Sequence, residues 1–165
     1  MTDATVSDVC AVVVSYRPEP GAMAQLVNAV APQVGAVVLV DNASDGDWNQ
    51  VLGRRLSAQG GAMLSQSRNL GLAAAQNVGI AWAREHGYRQ VLLLDQDSEP
   101  GEGMVAALLG ALQELSLAGP VAAVGPCFHD LRERRAAPFV RIGFPFNRKL
   151  WCDGSAPTIA CDFLI

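Results

Sequence analysis

The chain has 165 residues, of which 50% are hydrophobic and 17% charged, and its net charge is −4. One domain's worth of chain with this composition can bury a substantial core, which excludes a disordered or highly solvated protein, and its acidic balance gives no reason to expect nucleic acid as a partner. No apolar run reaches the roughly 18 residues that span a bilayer, and the N-terminus lacks the basic start and apolar core of a secretion signal, so a cytoplasmic location is expected.

In chain order, residues 9–15 (Val-Cys-Ala-Val-Val-Val-Ser) form a continuous apolar run that fits a buried strand, and Tyr16-Arg17-Pro18 ends it. Residues 21–31 then place Met23, Leu26, Val27 and Val30 at helical intervals, with Pro32 as terminator. A second strand over 36–40 ends in the polar loop Asp41-Asn42-Ala43-Ser44-Asp45-Gly46-Asp47. That loop has the look of a calcium loop, but Ala43 and Leu52 stand where oxygen ligands are required. Residues 48–56 predict a helix with Val51, Leu52 and Leu56 inward. Residues 61–65 predict a weaker strand and 66–71 a polar turn. A helix over 72–85 carries Leu72, Ala75, Val78, Gly79 and Trp82 along one face, and Gly87 stops it.

The chain is organised around the next segment, Leu92-Leu93-Leu94-Asp95-Gln96-Asp97-Ser98. Residues 91–94 have no polar interruption, as expected of an interior strand of a parallel sheet covered on both faces. Pro100, Gly101 and Gly103 break it, a helix follows to Leu115, and residues 120–125 add another strand. The β-α alternation implies a mainly parallel sheet with right-handed crossovers. Residues 129–151, rich in arginine, aromatics and proline, read as a long loop or mobile flap that orders when a ligand binds. Their basic cluster, Arg132, Arg134, Arg135, Arg141, Arg148 and Lys149, suits phosphates, an anionic membrane surface or simply solvent. Residues 156–165 look like a further strand with no polar tail, so the chain is expected to be a fragment of something longer. Cys10, Cys127, Cys152 and Cys161 form no C-x-x-C pair, which favours reduced thiols over a zinc site.

Three polar strand endings should therefore share one sheet edge: Ser15-Tyr16, Asp41-Asn42 and Asp95-Gln96-Asp97. Such convergence is the geometry of a nucleotide site. Two carboxylates one residue apart repel unless a divalent cation lies beside them, and hard oxygen ligands suit magnesium or manganese shared with a substrate's phosphates. The plainer use of Asp95 and Asp97 is to cap the following helix. Tyr16 could cap the core, Asp41 could form a turn with Ser44, Asn69 and Gly71 could make a simple tight turn, and Arg68 could be solvated.

Four ordered pieces carry a resemblance: Val12-Val13-Val14-Ser15-Tyr16, Val38-Leu39-Val40-Asp41-Asn42-Ala43-Ser44, residues 69–80 (Asn-Leu-Gly-Leu-Ala-Ala-Ala-Gln-Asn-Val-Gly-Ile) and Leu93-Leu94-Asp95-Gln96-Asp97. In this order and spacing they resemble the inverting family 2 glycosyltransferases of the GT-A fold. Asp-Gln-Asp-Ser together with Ala-Gln-Asn resembles the rhamnosyltransferase subgroup, which uses a dTDP-linked sugar to build bacterial surface and cell wall polysaccharides.

The resemblance implies an α/β fold, with a Rossmann-like mainly parallel sheet flanked by helices and truncated at the C-terminus. Residues 1–126 would form the nucleotide-sugar-binding region, and 127–165 a flexible loop and the incomplete start of the acceptor side. It implies donor binding by Ser15, Tyr16, Asp41, Asn42, Arg68, Asn69, Gly71, Asn77, Asp95 and Gln96. Within that set Tyr16 would lie by the nucleobase, Asp41 would accept the pyrimidine imide N–H, Asn69 and Gly71 would let the backbone pass close to the nucleoside, and Arg68 would reach the diphosphate. Asp95 would face the ribose or sugar, and Asp97, helped by Asp95, would be the chief ligand of Mg2+ or Mn2+.

The implied partners are a nucleotide-diphosphate sugar and a saccharide or polyprenyl-linked acceptor, with peripheral association at the inner face of the plasma membrane. An inverting transfer also needs a general base. The resemblance places it beyond Ile165, with Asp162 as the late candidate within the chain. Two other readings fit parts of the sequence. A phosphatase of the haloacid dehalogenase type would use Asp95 as nucleophile and Asp97 as acid/base, but Glu99 stands where that motif expects Thr or Val. A non-catalytic nucleotide-sugar-binding fragment would keep the fold without transfer. A Rossmann dehydrogenase is disfavoured because the first turn lacks G-x-G-x-x-G.

Overall fold

The computed structural model describes residues 4–45, 49–126, 129–130, 135–136, 139–141, 146, 148–150 and 158–161. The chain divides into two compact units, one ending at Ala106 and the other beginning at Ala107.

The first unit is built on four parallel strands: β1 (Val9–Ser15), β2 (Ala36–Asp41), β3 (Ala62–Ser65) and β4 (Gln90–Asp95), in the spatial order β3-β2-β1-β4. Every residue of β1 and β2 is buried, which accounts for their unbroken aliphatic sequences. Three helices cover them: α1 (Pro20–Val30), α2 (Asn49–Ala58) and α3 (Leu72–Glu85). One core packs Ala11, Val13, Val37 and Leu39 against Met23, Leu26, Val27 and Val30 of α1 and Leu56 of α2. The other packs Cys10, Val12, Val14, Val38 and Val40 against Ala75 and Ala83 of α3. Steps from β1 to β2 to β3 move the sheet one way and put α1 and α2 on one face. The return from β3 to β4, past two strands, puts α3 on the other, as right-handed crossovers require.

Local signals explain the helix ends. Glu19 accepts hydrogen bonds from the N–H groups of Gly21 and Ala22, which holds its carboxyl below the usual range and caps α1 just before Pro20. Gly71, at φ 79°, precedes α3.

Several expectations need correction. Among the described residues β4 is the edge strand of this sheet rather than an interior one, and Leu93 is 45% exposed. Its apolar sequence reports apolar faces and not the number of neighbouring strands. α2 begins at Asn49, and Val51 is 81% exposed because the inward stripe is Leu52, Gly53 and Leu56, with Gly53 set close against Met63. Leu72 is likewise exposed, since the buried stripe of α3 runs Ala75, Gly79, Ala83, one turn apart, and begins after it.

In the second unit α4 (Met104–Ser116), which starts at the end of the first, leads to β5 (Ala123–Pro126). β5 does not extend the parallel sheet but pairs antiparallel with β10 (Thr158–Cys161), a partner far along the chain that no local pattern announces. The arginine-rich segment contains two short antiparallel ladders instead of an unpaired loop. These are β6 (His129–Asp130) with β7 (Arg135–Ala136), and β8 (Phe139–Arg141) with β9 (Arg148–Leu150). Ladders of two and three residues are too short to leave a period in the sequence. The predicted ordering of this segment on ligand binding rests mostly on residues outside those described.

Cys10 is fully buried in the core against α3, and burial pushes its thiol up to about 12 from 9.0. The folded thiol thus titrates above the unfolded one, so the stability it contributes is whole below about pH 9 and is lost as pH rises towards 12. The stability gap between the wild type and Cys10→Ala is expected to narrow between pH 8 and pH 11 in urea melts; a constant gap would contradict this.

Candidate functional site

The carboxyl ends of all four parallel strands lie along one edge, and the strand order reverses direction there. β1 leads to β2 on one side, while β4 lies on the other, so the loops after β1 and β4 meet at the point where the order reverses. That switch point is where open α/β sheets bind ligands. Tyr16 stands on one side of it and Asp95-Gln96-Asp97 on the other, and the Tyr16 N–H donates to Gln96 Oε1 at 2.8 Å across it. Gln96 is thereby committed to holding the two loops together. Asp95 and Asp97 on either side of it are exposed, and the Ser98 N–H closes a turn on the Asp95 carbonyl.

The loop after β2 is fixed by its own first residues. Alternation along the strand sends Asp41 and Asn42 to opposite faces. Asp41, 2% exposed, accepts hydrogen bonds through Oδ1 from both the N–H and the Oγ of Ser44, so the turn-forming use is real. Asn42, 3% exposed, donates through Nδ2 to Asn69 Oδ1 at 3.0 Å and accepts the Leu70 N–H at 2.8 Å. Asn69 Oδ1 also takes the Gly71 N–H at 2.8 Å. The β2 and β3 loops are thus stapled by two asparagines, and Gly71 takes the left-handed backbone that follows.

A second staple joins the β1 and β2 loops: the Arg17 N–H donates to Ser44 Oγ at 2.8 Å, and its guanidinium pairs with Asp45 at 3.1 Å. Arg17 and Ala43 both adopt positive φ, 49° and 68°, an uncommon state for side chains other than glycine that concentrates at functional turns. Sequence reasoning did not single out Arg17 or the bridging role of Ser44. Their contact spans 27 residues of sequence, and no local pattern encodes it.

The structure therefore brings Tyr16, Asp41, Asn42, Asn69, Gly71, Asp95, Gln96 and Asp97 to one edge. Ser15 ends β1 beside Asp41 in the ladder, and its Oγ is buried with no partner among the described residues. Arg68 is exposed in the β3 loop, and Asn77 is exposed on α3. Asp162 lies outside the described residues. Among the described residues no group of three or more His, Cys, Asp or Glu side chains could hold a metal. A magnesium ion needs only one or two protein carboxylates when phosphates supply the rest, and the paired, solvent-facing Asp95 and Asp97 fit that donor set.

A cavity of about 380 Å3 lined by Asn28, Pro32, Val34, Arg55, Leu56 and Gln59 lies at the opposite, amino end of β2. With one cation and no carboxylate it offers no means of holding a metal-diphosphate.

A family model described as glycosyl transferase family 2 matches residues 10–165. The chain belongs to glycosyl transferase family 2. Among curated proteins this family 2 chain is 31% identical over 117 residues to dTDP-rhamnosyl transferase RfbF of Shigella flexneri, an alignment covering 70% of this chain and 38% of that protein. The chain thus spans about two fifths of the length of the relative it matches.

Its fold is similar to part of S. aureus TarS. One crystal structure of TarS superposes with a TM-score of 0.52 at 19% identity, over 64% of this chain and 19% of that one. A structure of TarS residues 1–349 gives 0.52 at 18% identity, over 64% and 32%. The parallel sheet flanked by helices expected of a family 2 member is the fold observed. Among the described residues of this family 2 chain, no helix is long and apolar enough to cross a membrane.

Proposed function

We propose that this chain is the donor-binding part of an inverting glycosyltransferase that transfers rhamnose from dTDP-rhamnose to a saccharide or lipid-linked acceptor. The observation that carries this reading is the meeting of Tyr16 with Asp95-Gln96-Asp97 at the sheet's switch point, in a chain with 31% identity to a dTDP-rhamnosyl transferase. Tyr16, 41% exposed as a residue, would lie against the nucleobase. Asp41 would accept the imide N–H through the carboxylate oxygen that Ser44 leaves open. Asn69 and Gly71 would carry the backbone past the nucleoside, and Arg68, which has no partner among the described residues, would be the cation that reaches the diphosphate.

Asp97, with Asp95, would hold a magnesium or manganese ion, which supplies neutralisation of the charge that gathers on the departing nucleoside diphosphate. The acceptor's proton would go to a base that the described residues do not contain. The phosphatase alternative gives way to the family match, and the topology agrees, since that phosphatase motif usually ends the first strand whereas Asp95 ends the fourth.

Calorimetric titration of dTDP-rhamnose, UDP-glucose and inorganic phosphate, each with and without manganese, tests the reading. Manganese-dependent binding of dTDP-rhamnose, at least about tenfold tighter than UDP-glucose, is the expected result, a tenfold ratio being about 1.4 kcal/mol of discrimination. Equal binding of both nucleotide sugars would remove the dTDP assignment, and binding of neither would remove the donor site.

A further inference from the structure

We propose that Arg17 is the positioning residue of the nucleobase platform, fixing the Tyr16 ring so that its free face meets the pyrimidine. This rests on the donor-site reading above and adds to it a residue that acts through Tyr16 and not on the substrate's phosphates. The Arg17 guanidinium carbon lies 5.1 Å from the centroid of the Tyr16 ring, within cation–π range, and so occupies one of the ring's two faces. Tyr16 as a whole is 41% exposed, and the opposite face is the one proposed to take the base.

Arg17 is held at two further points. Its guanidinium Nη2 pairs with Asp45 at the surface, and its backbone N–H is anchored on Ser44 Oγ, which in turn donates to Asp41. Tyr16, Arg17, Ser44 and Asp41 are therefore one connected unit, and the residue expected to read the imide edge of the base is linked to the one expected to stack on its plane. An exposed tyrosine ring otherwise samples several rotamers, and holding it in one spares that entropy when the base arrives.

The same geometry argues that Arg17 does not serve the diphosphate. Its charge is already shared between Asp45 and the ring, whereas Arg68 in the β3 loop has no partner among the described residues.

The test measures dissociation constants of dTDP and of inorganic pyrophosphate, both with manganese, for the wild type and three variants. Arg17→Asn removes the guanidinium while keeping a residue type that tolerates the left-handed backbone. Arg17→Lys keeps a cation for the ring, and Tyr16→Ala removes the ring. Arg17→Asn should weaken dTDP binding about two- to fivefold, the span of an exposed cation–π contact, and leave pyrophosphate unchanged. Arg17→Lys should recover most of that loss, which a merely structural role of the loop would not. In the Tyr16→Ala background Arg17→Asn should have no further effect.

An equal loss for pyrophosphate would make Arg17 a phosphate ligand and overturn the proposal. An undiminished dTDP affinity in a folded Arg17→Asn would overturn it while leaving the donor site intact. Failure of the wild type to bind dTDP at all would remove the donor-site reading and this inference with it.

Discussion

Replacing Asp97 with alanine is expected to abolish the manganese-dependent part of nucleotide-sugar binding while leaving the fold unchanged. Asp97 follows β4 in an exposed turn and contributes nothing to either core. Loss of its carboxylate also relieves the repulsion from Asp95. Stability should therefore stay within about 0.5 kcal/mol of wild type, the usual range for a surface change. Binding should respond very differently. Removal of groups that merely orient a metal ligand costs 10- to 100-fold in affinity, so removal of the chief ligand should cost about 100-fold or more in the presence of manganese. Without the metal, wild type and variant should bind alike. A thermal melt beside the titration distinguishes the outcomes: a variant that unfolds would show that Asp97 is structural, and a folded variant with undiminished metal dependence would show that the cation is held elsewhere.

The second large effect lies under the site, at Gly79. A glycine within a helix ordinarily gains up to about 1 kcal/mol on replacement by alanine, through backbone entropy. Here the added Cβ would stand 2.3 Å from Val12 Cγ1 and 3.2 Å from Val40 Cγ2. Val12 is in the centre of β1, 1% exposed, and β-branched, so its side chain has neither room nor an alternative rotamer to retreat into. Overpacking of this kind costs about 1–3 kcal/mol, which exceeds the propensity gain. Gly79→Ala should therefore destabilise by about 1–2 kcal/mol, and for a chain of this size lower the melting temperature by several degrees. Gly110, in α4, provides the control: a Cβ there meets nothing within 4 Å, so Gly110→Ala should be neutral or stabilising by up to about 1 kcal/mol. If both alanines stabilise, α3 does not ride as closely on the sheet as described.

The close approach at Gly79 shows what a sequence reading can and cannot extract. Gly79 could be placed on the inner face of α3 from spacing, because helical periodicity is a local property. The unbroken aliphatic runs of β1 and β2 likewise announce burial on both faces, and α1 shows its stripe, Met23, Leu26, Val27 and Val30, all buried. β4 has the same aliphatic look yet sits at an edge, because apolarity reports what lies above and below a strand and not what lies beside it. Val51 and Leu72 were misplaced for a related reason: hydrophobicity alone does not say which stripe of a helix faces the sheet when small residues such as Gly53 and Gly79 make the contact.

At the site, the residue types and their places at strand ends were legible. The staples were not. The pairing of Asn42 with Asn69 and of Tyr16 with Gln96 joins positions 27 and 80 residues apart, and only the strand order determines that such residues meet. Asp41 illustrates a further point, that two readings of one residue need not compete. One carboxylate oxygen builds the turn with Ser44, and the proposed base recognition would use the other.

The most direct measurement is a heteronuclear NMR titration of the folded chain with dTDP and magnesium, following backbone amides. If the carboxyl edge of the sheet binds the donor, the shifts will concentrate at Tyr16, Arg17, Asn42, Ser44, Gly71, Gln96 and Ser98, and Arg55 and Gln59 at the far end will stay still. Shifts centred on Arg55 and Gln59, or no shifts at millimolar dTDP, would contradict the assignment of this edge as the donor site.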